Sequence, residues 1–395
     1  MIPELLKTPL RHFNWFISSW IPALGSPAPL TKRRILFLLF LFPPFALLQT
    51  IHACFLALDH LIFPGFKRVT IPNPVFITGV PRSGTTFVHR TLASDTEHYT
   101  TVATWEAVLA PSIIQRYLLR AAARLDRRIS SPFRKLIHWI ERRATRSLDH
   151  LHPTSLKDPE EDYLLLLPYH GALILLLAFP RSKRLRALAN FPSLPPSDRR
   201  ALIEAYYRLL QRHLFFHSPN RRLLSKNAAF ASWIPDLQKA FINPTFIICV
   251  RPPEEALRSL TGSLVPARRL FGTDPQGTWT EATFAETLRE AYHSIERFLE
   301  ESDPAARIAL VEQPSLAANS ASLLGQLISH LDLPDSINLQ KVLAALPTTH
   351  LGTQHPHTET NRTGGSQIQD CSTRAYQRII ASSHSLTATN PHVQS

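Results

Sequence analysis

The stretch from Val75 to Thr86, Val-Phe-Ile-Thr-Gly-Val-Pro-Arg-Ser-Gly-Thr-Thr, constrains this chain more than any other. Val75 to Thr78 is a short β-branched and aromatic run suited to a buried strand. Gly79, Val80 and Pro81 break it into a turn, and Phe87 to Ala93 reads as the first turns of a helix. Strand, glycine-containing loop and helix start together aim backbone N–H groups and the positive end of a helix at an anion. Gly79 and Gly84 have the Walker A spacing, but Thr85 stands where that motif places its lysine, and the cation sits inside the loop as Arg82. The expectation is a phosphate-type cradle with its own charge arrangement.

A second segment complements it. Thr245 to Val250 is another buried-strand run; it ends at Arg251-Pro252-Pro253, and a helical pattern from Glu254 carries Ser259. Prolines at the helix start, followed by Glu254 and Glu255, suit its positive end. Arg251 at a strand's carboxyl end and Ser259 just over one turn into the helix can reach one small anion in the crevice beyond a parallel sheet.

On these residues the chain resembles the sulfotransferase family. Pro81 to Thr86 is similar to the family's 5′-phosphosulfate loop, and Arg251 with Ser259 to its 3′-phosphate pair. Thr104-Trp105-Glu106, the run Asp158-Pro159-Glu160-Glu161-Asp162, and Leu224-Ser225-Lys226-Asn227 are similar to segments of a bacterial branch related to tyrosylprotein sulfotransferases. The resemblance spans Asn73 to Asp335. It implies a P-loop-NTPase-like α/β fold, a central parallel sheet flanked by helices, and sulfuryl transfer from 3′-phosphoadenylyl sulfate to a hydroxyl acceptor, with no metal. It further implies that Arg82, Ser83, Gly84, Thr85, Thr86, Arg251 and Ser259 bind the nucleotide. It implies as well that Arg82 offsets charge on the bridging and leaving oxygens, that Lys226 is a second cation on the sulfuryl group, and that Glu106 is the acceptor's base. The acidic run from Asp158 reads as a helix N-terminus, with Asp158 as its cap and Pro159 at the first position.

Three departures stand out. Arg-Asp-Pro of the family is Arg251-Pro252-Pro253 here, Lys-Ser/Thr-Pro is Lys226-Asn227-Ala228, and the late strand reads Ala309-Leu-Val-Glu-Gln-Pro314. The first costs a helix cap and the second a proline that fixes the lysine's loop. They keep open a non-catalytic nucleotide-binding or membrane-scaffold protein, beside a P-loop kinase as the other alternative.

Composition agrees with an enzyme that binds anions. Hydrophobic residues make up 44% and charged ones 18%, enough apolar material for a large core, and the net charge is +13. A basic balance favours a charged cofactor or an anionic membrane surface; no nucleic-acid-binding pattern appears. Cys54, Cys249 and Cys371 lack metal-ligand spacing, and no His-x-x-x-His pair beside a carboxylate is expected.

Four regions are expected: a lead-in at 1–31, a hydrophobic helical membrane-associating segment at 32–70, the sulfotransferase-like domain at 71–346, and a polar tail at 347–395. In the second, the double proline Pro43-Pro44 is expected to break a single spanning helix, at roughly 3 kcal/mol or more per interior proline. Basic residues flank both ends: Lys32, Arg33 and Arg34 before, Lys67 and Arg68 after. This places both ends on the cytoplasmic side and predicts a re-entrant or interfacial arrangement. A helix pair packed on the domain is the alternative. Arg362, Gly364 and Gly365 in the tail are candidates to close over the nucleotide. Strands are expected near 75–78, 245–250 and 307–312, and helices near 107–146, 160–178, 198–217, 281–300 and 318–332. The acceptor, a carbohydrate, a lipid-linked molecule or another amphiphile, is not encoded in any readable pattern.

Overall fold

The structure is a computed structural model, and it describes residues 2–21, 25–128, 155–217, 220–303, 306–346, 366–382 and 385–386. Its strands, in chain order, are β1 Val75–Gly79, β2 Tyr99–Thr100, β3 Arg222–Lys226, β4 Thr245–Val250, β5 Ile308–Glu312 and β6 Ser385–Leu386. They form one parallel sheet in the order β2-β3-β1-β4-β5-β6. The three expected strands are the three at its centre. Their side chains alternate between two cores: Phe76, Phe246, Ile248, Val250 and Leu310 face one, and Val75, Ile77, Ile247, Cys249 and Val311 the other. Near-continuous apolar strands covered on both faces are what a parallel sheet requires. The sequence reading passed over β3, whose Leu223 and Leu224 are framed by Arg222 and Lys226 and lack an apolar run.

The helices that matter here are α1 (Thr8–Trp20), α2 (Lys32–Ile62), α3 (Thr85–Ala93), α4 (Thr104–Val108), α5 (Ile113–Arg128), α6 (Pro196–His217), α7 (Pro253–Phe271), α8 (Thr278–Glu301), α9 (Ser320–His330) and α10 (Ser366–Ile380). The expected helix over 107–146 is divided at Leu109 to Ser112, and its part beyond Arg128 lies outside the described residues. The expected helix over 160–178 is instead a 3₁₀ segment, Asp162–Tyr169, and a single turn, Leu175–Ala178. Pro168 removes a donor, and His170 ends the segment at φ 57°. Glu161, not Asp158, stands at its N-cap.

The apolar segment corrects the sequence reading most. Pro43 and Pro44 do not break it, and α2 is continuous over 31 residues. A π-helical turn, Phe37–Leu41, closes with the Phe42 N–H donating to the Phe37 carbonyl. The prolines then occupy the first positions of the next α-helical segment, where a missing N–H costs least. One face of α2 packs on the domain. The buried ion pair Arg212 Nε to Asp59 Oδ2 (2.9 Å) pins it, with both side chains fully buried. Asp59 also accepts from the Ser112 hydroxyl and from the N–H groups of Ile113 and Ile114, capping α5. Arg34 donates to the carbonyls of Ala178 and Phe271, fixing the other end. By length and composition α2 could cross a bilayer, but these anchors hold it against the protein.

Part of the expected polar tail belongs to the fold. α10 packs on α8, with Ala375, Tyr376 and Ile379 buried, and Tyr376 donates to Glu312 at the end of β5. Arg362, Gly364 and Gly365 lie outside the described residues.

Candidate active site

β1 ends against β4 so closely that a Cβ on Gly79 would fall 1.9 Å from the Cys249 carbonyl oxygen. With φ at +133°, only glycine serves there. The chain then turns through Arg82 (φ 67°) and Gly84 (φ 91°), and α3 begins at Thr85. Successive left-handed and helical residues turn backbone N–H groups into one concavity, the geometry of an anion-binding nest. Ser83 is buried and donates to the Val80 carbonyl at 2.7 Å, which braces the loop from within. Thr85 is buried beneath the loop, whereas Arg82 and Thr86 are exposed at its mouth.

The second segment meets the first. Arg82 Nε donates to the Ser259 hydroxyl at 3.1 Å, and Arg251 Nη1 donates to the Arg82 carbonyl at 3.3 Å. Burial and the neighbouring Arg251 both push the Arg82 guanidinium toward losing its proton, while Glu161 opposes them. Two guanidiniums so placed repel each other until a polyanion joins them. Glu255, one turn into α7, partly occupies Arg251 at 3.0 Å. Pro252 at the helix N-cap offers no side-chain cap.

Lys226, 3% exposed at the end of β3, brings a third cation alongside. Its Nζ donates to Thr86 Oγ1 at 3.3 Å and to Glu161 Oε1 at 2.9 Å, with Glu160 at 3.8 Å. The proline missing from this loop is replaced by hydrogen bonds. Asn227 donates its backbone N–H to Ile77 and its side-chain amide to Asp162, and accepts from the Tyr163 N–H at 2.8 Å. Asp162 is buried among these partners and also accepts from the Tyr206 hydroxyl. Burial drives its pKa up to about 7 despite the hydrogen bonds from Ser225, Asn227 and Tyr206.

The structure thus gathers Arg82, Thr86, Arg251, Ser259 and Lys226 at one end of the parallel sheet, around a loop built on Ser83, Gly84 and Thr85. Glu106 it places elsewhere. Its carboxylate is 1% exposed and caps its own helix by accepting from the Ala103 N–H at 3.0 Å. It further meets His217 Nε2 at 2.7 Å, His213 Nδ1 at 3.4 Å and Arg116 Nη1 at 3.4 Å. Burial alone would raise its pKa, but Arg116 and the two histidines hold it well below the ordinary carboxylate range. Among the described residues its hydrogen bonds and ion pairs are thus with Ala103, Arg116, His213 and His217, and not with the Arg82 loop or Lys226 beside which the resemblance sets a base.

The same cluster overturns an expectation. His213 and His217 are a His-x-x-x-His pair on α6, and with Glu106 their ligand atoms lie within 4.8 Å of one another. The residue types fit a divalent metal. The buried Arg116, however, sets a fixed positive charge on the same carboxylate, and the histidines are engaged with Glu106 itself. The carboxylate is therefore already paired with a cation, and a divalent metal there would meet the repulsion of Arg116. His89, a lesser candidate on α3, is fully buried on Thr101 Oγ1 at 2.7 Å, and burial holds it neutral.

Comparison with known proteins adds three findings. No curated protein matched. Among solved structures, the chain is similar in fold to the sulfotransferase STF1 from Mycobacterium tuberculosis H37Rv (TM-score 0.60, 16% identity, 94% of this chain and 92% of that one covered). It is likewise similar to the sulfotransferase STF9 from Mycobacterium avium (TM-score 0.61, 16% identity, 86% and 83% covered). The model of the sulfotransferase family matches residues 74–336, a span that holds the Arg82 loop, Lys226, Arg251 and Ser259. The chain is a sulfotransferase and belongs to that family.

Proposed function

We propose that this sulfotransferase takes its sulfuryl group from 3′-phosphoadenylyl sulfate and delivers it to the hydroxyl of an amphiphilic acceptor at a membrane surface. The meeting of Arg82 and Arg251, with Arg251 donating to the Arg82 carbonyl and Arg82 to the Ser259 hydroxyl, carries the donor assignment. A nucleotide with phosphate groups at both 5′ and 3′ positions neutralises each of them. The 5′-phosphosulfate takes the N–H groups of the Arg82–Thr86 nest, and the 3′-phosphate takes Arg251 as a planar bidentate donor with Ser259.

Sulfuryl transfer resembles phosphoryl transfer: in-line attack with charge spread over peripheral oxygens, so that positioning and electrostatics supply most of the rate. Arg82 offsets charge growing on the leaving phosphate, and Lys226 steadies the sulfuryl oxygens. Such chemistry needs no metal.

The test is calorimetric titration with adenosine 3′,5′-bisphosphate, beside ATP and with Arg251→Ala. Tight bisphosphate binding that the variant weakens at least tenfold, with ATP much weaker, supports the reading. Equal or tighter ATP binding transfers it to a kinase, and no binding by the folded protein leaves a scaffold.

The membrane assignment rests on α2. Its outward positions Leu36, Phe40, Leu47, Ile51, Leu58 and Leu61 form one exposed apolar stripe without a charge. Leu10, Phe13 and Ile17 extend it on the adjoining α1, and exposed Lys32, Arg33, Lys67 and Arg68 stand at the two ends of α2. A helix pinned along one face and apolar on the other suits an in-plane seat among anionic lipids of the cytoplasmic leaflet. Co-sedimentation with phosphatidylserine-containing vesicles, lost in the pair Phe40→Glu and Leu47→Glu, supports this. Equal sedimentation of that pair removes it.

A further inference from the structure

We propose that Glu161 is the general base that takes the acceptor's proton. This rests on the sulfuryl-transfer reading above and names the group that reading leaves open once Glu106 is enclosed. Glu161 Oε1 lies 2.9 Å from Lys226 Nζ, and Lys226 in turn reaches Thr86 at the mouth of the anion loop. Lys226 has three donors; Thr86 and Glu161 take two, Glu160 stands 3.8 Å away, and the third turns to the sulfuryl group when the donor binds. An acceptor hydroxyl approaching in line with the breaking S–O bond therefore arrives between the sulfuryl group and Glu161.

Glu161 is also the acidic residue of its run whose carboxylate is hydrogen-bonded to the site's lysine. Asp158 accepts from the Ser155 N–H and faces Arg90. Glu160 accepts the Glu161 N–H at 2.9 Å, while its own N–H donates to Val102. Asp162 is buried under Asn227 and Tyr206. Glu161 is thus held between two anchored neighbours, with its side chain 24% exposed beside Lys226. A partly open carboxylate on a braced loop is the arrangement a positioned base requires.

The step balances. The acceptor oxygen forms a bond to sulfur as its proton passes to the Glu161 carboxylate. The bond from sulfur to the bridging oxygen breaks, and its electron pair stays on the 5′-phosphate. Adenosine 3′,5′-bisphosphate and a sulfate ester leave, and the proton passes from Glu161 to water.

The experiment compares the full-length chain with Glu161→Gln and Glu161→Asp, following bisphosphate release from 3′-phosphoadenylyl sulfate with octyl glucoside or 4-nitrophenol as acceptor probe. Glu161→Gln is expected to slow transfer to octyl glucoside by about 10²-fold or more, the usual contribution of a general base. Transfer to 4-nitrophenol, which ionises unaided, falls far less, and Glu161→Asp recovers part of the loss. Bisphosphate affinity stays within about threefold, since a base does not hold the nucleotide. A Glu161→Gln enzyme with the parent's rate on both acceptors overturns the proposal. So does an equal loss on both, or a loss of bisphosphate binding, which makes Glu161 a structural or nucleotide-site residue. Failure of the parent chain itself to bind bisphosphate points instead at the donor reading.

Discussion

Arg82 and Ser259, 177 residues apart in the chain, share a hydrogen bond of 3.1 Å from Nε to Oγ. The bond joins the loop after β1 to the helix after β4, so the two segments proposed to hold the nucleotide's phosphates are coupled before any ligand arrives. Nucleotide binding must redirect both groups, and the two substitutions should separate by function. Ser259→Ala should weaken bisphosphate binding about tenfold, the worth of one hydrogen bond to a charged group. Arg82→Ala should cost more in kcat than in bisphosphate affinity, because it acts on charge that develops during transfer. Calorimetry and steady-state rates on both variants check the split.

Asn227 holds the loop after β3 by hydrogen bonding. Asn227→Ala removes the side-chain bonds to Asp162 and to the Tyr163 N–H, and should cost roughly 2–3 kcal/mol in urea unfolding. Ala228 begins a 3₁₀ turn and follows an extended residue (Asn227 φ −150°, ψ 97°), a backbone that accepts proline next in the chain. Ala228→Pro should therefore stabilise by about 0.4–1 kcal/mol. Equal stability of all three proteins would show that this loop is not held as described.

Asp162 gives stability an inverted pH dependence. Its folded pKa of about 7 lies above the ordinary 3.8, so between those values the folded state holds a proton that the unfolded state has released. Its contribution is complete below about pH 4 and is lost as pH rises toward 7, with a limiting slope of about 1.4 kcal/mol per pH unit. Asp162→Asn should remove that slope, measured as the difference between the two proteins' urea midpoints across pH 4.5–7. Parallel curves would place the carboxylate's titration elsewhere.

The buried pair Arg212–Asp59 should dominate the docking of α2. Arg212→Leu leaves Asp59 charged and buried with only neutral donors, at an expected cost of about 3–5 kcal/mol. Thermal unfolding reads the loss, and faster amide exchange in α2 locates it. A change below 1 kcal/mol would mean that the apolar face alone holds the helix.

The sequence disclosed the parts of this molecule that local chemistry dictates. Val75–Thr78 and Thr245–Val250 are apolar without interruption because both faces of a parallel strand are covered, and Gly79 and Gly84 mark backbone that other residues resist. Arg82, Arg251 and Ser259 followed from these anchors, whereas Lys226 came only from the resemblance to the family, since its strand was passed over. What stayed hidden depends on distant partners. β3 carries a lysine and an arginine because its ends reach the site and the sheet's rim. Glu106 has the sequence setting of a base, yet three groups from α5 and α6 enclose it. The pairing of Glu161 with Lys226 joins residues 65 apart and has no local signature. The reading of Pro43-Pro44 failed for a related reason: a proline's cost depends on the hydrogen-bond register around it, and the π turn changes that register.

That turn has a consequence for how the chain tolerates change in length. One α-helical residue corresponds to about 100° of rotation. The extra residue held in Phe37–Leu41 therefore sets the angular phase between the two halves of α2. Losing a single residue there would swing Arg34 away from the carbonyls of Ala178 and Phe271 while Asp59 stayed on Arg212. The segment should accept conservative exchanges of its leucines and phenylalanines far more readily than a one-residue deletion, which would leave every remaining side chain intact and misalign the helix they belong to.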